Sequence, residues 1–337
     1  MDNSRQRKFL KKITLFSYFT GLPYFWFEEC EWPVPVMKFL EYANIILKIP
    51  GYGFFLMTGA TPLLTQKNLN DQQTFNVLMY NIPFPFFYLV TVGLRCYKDD
   101  AKKLIYDLVV RAPSVYKDPQ IEAEMVQKAR NLFILATCIG WVGITMIILD
   151  GVIRSIITDQ VFTTFVPIWP DIEDKSLIAA AFRVLIIVVW TVLMLQCHGA
   201  IALVVSLMAY TSHQFKQLQS YFSNLANIFQ EDLSQIEKEE KYEKALIIGF
   251  KLHSDIISYT RRLVKICHIG YGGEIFMNVI MLALIMIRLA KQDKDLVYIL
   301  TNGLIAMAIL SVTWIYMSTI GDITVEADKP TTAMYMS

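Results

Sequence analysis

Apolar residues in this chain collect into long blocks instead of alternating with polar ones. Six blocks stand out, at 39–64, 75–95, 132–153, 177–210, 269–287 and 297–320. A hydrocarbon layer about 30 Å thick is crossed by roughly 20 helical residues. Backbone groups inside lipid must bond within their own segment, which selects helices here. The pattern predicts an all-α membrane protein, a polytopic helical bundle with six transmembrane helices and a helical layer beyond the membrane.

The blocks differ in ways that bear on the fold. The first carries Glu41 and Lys48, two helical turns apart on one face, and then Pro50, Gly51 and Gly53. A charge at the bilayer centre costs at least about 2.5 kcal/mol, so this pair is expected against other helices or near a membrane edge. The second block holds Pro83 and Pro85, which predicts a bend. The fourth, Leu177 to Tyr210, is ~51 Å long at about 1.5 Å per residue, more than one upright span needs. Beyond it Phe215, Leu218, Tyr221, Phe222 and Leu225 keep helical spacing, so the helix is expected to leave the membrane. The Glu/Lys run 237–244 reads as an exposed link or helix end. Leu246, Phe250, Leu252, Ile256, Leu263 and Ile266 then carry helical periodicity into the fifth block.

Composition agrees with this picture. The chain is 55% hydrophobic with mean hydropathy +0.41, too apolar for an average soluble domain. A net charge of +1 hides an asymmetry. The N-terminus and the links near 95–130 and 213–267 carry 21 Lys and Arg, against 6 in the opposite links. The positive-inside rule puts the N-terminus in the cytoplasm, and six spans return the chain to that side. The start joins basic residues (Arg5, Arg7, Lys8, Lys11, Lys12) to an aromatic stretch ending Tyr24-Phe-Trp-Phe27. Three glutamates follow, with no small-residue cleavage site, so this is no secretory signal. It is expected to be a helix lying in the inner membrane interface. The organisation expected is a cytoplasmic segment 1–36, spans one to four in 37–211, a cytoplasmic helical segment 212–267, spans five and six in 268–320, and a cytoplasmic tail 321–337. The five cysteines make no disulfide framework and read as small apolar residues.

Little in the sequence suggests catalysis. The four histidines are scattered, with no metal-binding pair on one helix face. No nucleophile elbow or phosphate-cradling loop is present. Basic residues are interspersed with acids, so nucleic acid is not indicated. Neither cofactor nor metal is expected. Asp150 and Arg154 are four apart on one helix edge and are placed to pair. Arg183, about five residues into the fourth block, has Asp150 as a cross-helix partner or reaches the outer headgroups.

Three stretches resemble the insect odorant receptor family. Leu207-Met-Ala-Tyr-Thr-Ser-His-Gln-Phe-Lys-Gln-Leu-Gln219 is similar to the family's end of the fourth helix. Lys251-Leu-His-Ser-Asp-Ile-Ile257, with Leu263 and Ile266, resembles the link into the fifth. Gly321-Asp-Ile-Thr-Val-Glu-Ala-Asp328, with Ala333 and Tyr335, resembles the segment after the sixth. The resemblance implies a subunit of an odour-gated, non-selective cation channel. Such a subunit binds a volatile small molecule and joins a shared co-receptor in a hetero-tetramer in the cell membrane of a sensory neuron dendrite. The cytoplasmic helix ends would anchor subunits to one another. The family's pore-lining seventh helix would begin where this sequence stops, at Ser337, so the chain as given is expected to lack that wall and to pass no odorant-evoked current without it. Insect gustatory receptors share the architecture. A secondary transporter is the other class considered, but its broken spans would correspond between halves, whereas those here are adjacent.

The resemblance also implies a ligand pocket in the outer half of the bundle, between the second, third, fourth and sixth helices. Binding a volatile there rests on apolar contact in a dry pocket. The outer halves offer Met79, Tyr80, Pro83 and Phe84; Trp141, Thr145 and Leu149; Phe182 and Leu185; and Tyr298 and Asn302. Tyr80 and Tyr298 each add a hydroxyl to an apolar body.

Overall fold

The computed structural model describes residues 4–30, 32–46, 52–53, 62–66, 69, 71–81, 84–158, 169, 171–291 and 296–336. Helices are α1 Arg5–Phe19, α2 Val34–Ile46, α3 Asp71–Asn81, α4 Phe84–Cys96, α5 Lys98–Tyr106, α6 Pro119–Thr158, α7 Leu177–Leu225, α8 Gln235–Lys291 and α9 Leu296–Met336. No strand occurs among the described residues. Each of the four last helices contains a stretch long and apolar enough to cross a membrane, and the chain is a membrane protein. The second predicted span is two successive helices, α3 and α4. Of the first, α2 covers the start, with Glu41 exposed; Lys48, Pro50 and Gly51 lie outside the described residues. The expected Asp150–Arg154 pair also lies outside the described side chains.

Local chemistry sets the helix starts. Ser4 accepts from the Arg7 amide at 3.3 Å, and Ser176 from the Ala179 amide at 3.2 Å, each meeting an amide that the first turn leaves unpaired. Asp118 does the same for α6, taking the Gln120 and Ile121 amides ahead of Pro119. Its other oxygen accepts from the Ser220 hydroxyl at 2.8 Å. That hydrogen bond foremost, with the two amides, holds the Asp118 carboxyl below its ordinary range. Ser234 and Glu237 exchange bonds as a capping box at the start of α8.

Two helices run far past a bilayer, as the sequence predicts for the fourth block. At about 1.5 Å per residue α7 is ~73 Å long and α8 ~85 Å. Their far ends, with α5 and the last turns of α9, build a second layer at the basic end of the molecule. Ion pairs close it: Arg262 with Asp107 at 2.5 Å, Lys265 with Asp100 at 2.7 Å, Arg111 with Asp255 at 3.0 Å, and Lys128 with Asp322 at 2.5 Å. The first three tie α8 to the α5 region; the fourth ties α6 to α9.

At the centre stands α7, packed against α1, α4, α6, α8 and α9. From Gly199 to Phe215 every residue of it is buried, as an apolar helix that meets no solvent should be. Three polar residues within that stretch bond back to their own turn: Ser206 to Ala202 O at 2.7 Å, Thr211 to Leu207 O at 2.9 Å, and His213 Nδ1 with Ala209 O at 2.8 Å.

The N-terminal segment packs on the helical bundle. Leu10, Ile13, Ser17 and Tyr18 of α1 are buried in the bundle. Tyr210 donates to Gln6 O at 3.3 Å and Ser17 to Gly199 O at 3.1 Å. Gly21, at φ 93°, reverses the chain in a conformation that costs glycine little. Its carbonyl accepts from Arg95 and Gln196 at 3.0 and 2.6 Å. The aromatic run then turns inward, with Phe25 and Trp26 fully buried. Each buried side chain of this size contributes roughly 1.5–3 kcal/mol. The basic residues Arg5, Lys8 and Lys12 stay exposed on the other face. The apolar face of this segment therefore packs on protein, and its basic face stays outside.

Close helix approach is set by glycine at the α4–α8 crossing. A Cβ at Gly270 would lie 3.2 Å from the Val90 Cα, so the small residue fixes how near the two backbones come.

Candidate functional site

Inside the bundle, level with the middle of the long helices, is a cavity of about 120 Å³. Five helices wall it, and each of the four long ones offers a stripe at helical spacing. These are Gly140, Ile144 and Ile147 on α6; Trp190, Met194 and His198 on α7; Glu274, Met277, Asn278 and Met281 on α8; and Ile305, Ile309 and Val312 on α9. Met79 of α3 completes the wall. Residues three and four apart share a helix face, so each stripe follows from the fold placing that face inward. A dry apolar cavity of roughly 150 Å³ is enough to hold benzene, and this one is of that order.

Three polar groups interrupt the apolar wall. His198 Nδ1 lies 2.7 Å from Met194 O, so the ring hydrogen belongs on Nδ1 and Nε2 is left as an acceptor. The ring is pressed against α6: a Cβ at Gly140 would lie 1.9 Å from His198 Cδ2. Asn278 donates to Thr313 at 2.8 Å. Glu274, 3% exposed, has its carboxyl beside the buried Tyr316. Its Oε2 is buried with no hydrogen-bond partner. No group of three His, Cys, Asp or Glu residues is placed to hold a metal ion, among the described residues.

The predicted ligand residues divide. Met79 is 1% exposed and lines the cavity. Asn302 is equally buried, one turn before Ile305 on α9. Phe182 is half-buried, edge-on to Trp169 at 5.1 Å and about two turns from Trp190. Trp141, Thr145, Leu149 and Leu185 are exposed, Trp141 by 49%, and face away from the cavity. Tyr80 lies on α3, Phe84 opens α4 and Tyr298 lies on α9, with side chains outside the described set; Pro83 is outside the described residues. On α6 the cavity-lining residues sit one or two positions before the expected ones. Trp141 follows Gly140, and Thr145 follows Ile144, by about 100° of helix rotation. Hydropathy carries no phase information when the outer surface faces lipid as apolar as the core. The missed residues Glu274 and His198 had a signal available: ionisable groups inside apolar spans are rare and mark sites.

The other charge singled out, Arg183, is 4% exposed and donates to Asp171 O and Asp174 O at 2.9 and 3.0 Å. It fastens the link that precedes α7 to the first turns of that helix. Asp174, next to it, is held below the ordinary carboxylate range by the Ser176 amide and hydroxyl.

No family model and no curated protein matches the sequence. Solved structures do match. The insect olfactory receptor OR5 from Machilis hrabei superposes with a TM-score of 0.78 at 12% identity, over 98% of this chain and 83% of that one. The same receptor in complex with eugenol gives a TM-score of 0.75 at 12% identity, over 98% and 87%. The shared feature is the fold: this chain has the helical architecture of that receptor along nearly its whole length.

Proposed function

We propose that this chain is an odorant receptor subunit of the insect type, which holds a small volatile molecule in the cavity between α3, α6, α7, α8 and α9. The observation that carries this reading is the cavity itself, lined by four facing stripes on a fold shared with an olfactory receptor solved with eugenol. The resemblance in sequence points the same way. Met79 forms part of the pocket wall in this reading. The stripe Gly140, Ile144 and Ile147 replaces the outward Trp141, Thr145 and Leu149.

The chain sits in the cell membrane with its N-terminus in the cytoplasm, an orientation supported by the 21-to-6 distribution of Lys and Arg. It assembles with a co-receptor in a hetero-tetramer that passes cations. Odorant binding drives opening only through tighter binding to the open state. A single ring burying ~150 Å² gains about 4 kcal/mol at roughly 25 cal/mol per Å², which places affinity near the millimolar range. Thermal stabilisation of the purified chain by millimolar toluene tests this. Stabilisation that disappears when Met194→Trp fills the cavity is the expected result. Equal stabilisation of both proteins, or of neither, would overturn it.

A further inference from the structure

The cavity wall is apolar except at a few points, and one of those points is unfinished. Glu274 is 3% exposed, lines the cavity, and keeps Oε2 buried without a hydrogen-bond partner. Tyr316, itself buried, neighbours the same carboxyl. No lysine or arginine lines the cavity among the described residues. A buried polar atom without a partner is costly, and in a native structure each such atom calls for a partner or a functional role.

The geometry points to a small hydrophobic amine as the molecule that completes this site, with Glu274 as its recognition residue. The inference rests on the cavity being the ligand site proposed above. An amine satisfies Oε2 wherever the proton sits. A carboxylic acid donates to a neutral nitrogen, and a carboxylate accepts from an ammonium. In both cases the bound pair has no net charge, the condition for placing ionisable groups within a bilayer. His198 lines the same cavity with Nε2 as an acceptor, suited to a second N–H. The remaining wall, with Met194, Met281 and Trp190, suits an unbranched chain or one ring.

The test uses the full chain in detergent with three one-ring probes of similar size: toluene, benzyl alcohol and benzylamine. Binding is read by equilibrium dialysis and by thermal shift. Benzylamine is expected to bind about tenfold or more tighter than toluene, with benzyl alcohol between them. Glu274→Leu should bring benzylamine within twofold of toluene. If Glu274→Leu does not fold, Glu274→Gln replaces it; an amide forms no ion pair, and the amine preference should fall at least fivefold. Equal binding of the three probes overturns the amine assignment alone, as does an amine preference that survives both substitutions or an alcohol that outbinds the amine. Failure of all three probes to bind overturns the ligand site itself, and the amine assignment with it.

Discussion

Gly140→Ala probes how the cavity wall is held. The added Cβ would stand 1.9 Å from His198 Cδ2, 2.4 Å from Nε2 and 2.7 Å from Cγ. Ordinary contact needs about 3.5–4.0 Å between carbons, so the imidazole must move by well over an ångström. It is held by the 2.7 Å bond from Nδ1 to Met194 O, and the open volume beside it is the cavity. The substitution therefore breaks that bond, tilts the ring into the cavity, or both. Overpacking of this kind costs about 1–3 kcal/mol. Since the ring takes space from a volume of only about 120 Å³, binding of a one-ring probe should weaken tenfold or more. The assay pairs a thermal denaturation curve in detergent with toluene dialysis. Gly272→Ala is the matched control. Gly272 is exposed, an added Cβ there meets nothing within 4 Å, and the change should be neutral or stabilising by up to about 1 kcal/mol. If Gly140→Ala behaves like Gly272→Ala in both measurements, the contact between α6 and His198 does not shape the site.

Gly270→Ala should separate α4 from α8, because the new Cβ meets the Val90 backbone at 3.2 Å; a loss of about 1–3 kcal/mol in thermal stability is expected. Arg262→Gln leaves Asp107 with only 4% of its side chain exposed and no guanidinium, and should cost about 3 kcal/mol. Lys244→Gln in the solvent-facing pair with Glu240 should cost under about 0.5 kcal/mol. The Asp118 carboxyl titrates below its ordinary value of 3.8 in the folded chain, so the unfolded chain binds the proton more readily. The stabilisation is therefore complete above 3.8 and is lost as pH falls through the lower folded value. Asp118→Asn should flatten that acid limb in a pH series of melting curves.

Much of the architecture was legible because membrane helices must be long and apolar. The four later spans, the extension of α7 beyond the bilayer and the re-entry of α8 through 245–266 all follow from block length and period. The site was less legible. Choosing Trp141 over Gly140 or Ile144 requires the rotation of α6, and a helix that is apolar all round does not print that rotation in its sequence. The packing of the N-terminal segment was hidden for a related reason. Its basic and aromatic faces suit a lipid interface and a protein groove equally, and only the buried contacts of Tyr18, Phe25 and Trp26 decide between them. Glu274, a carboxyl in an apolar block, was passed over in the sequence, and it is the residue that the folded wall leaves with an unfinished oxygen.

Photoaffinity labelling with a one-ring diazirine, read by peptide mass spectrometry, tests the placement of the ligand most directly. The account predicts adducts on the inward stripes around Met194, Met281 and Ile305, competed away by excess toluene. Labelling confined to the outward face around Trp141 and Leu185, or unaffected by toluene, would contradict it.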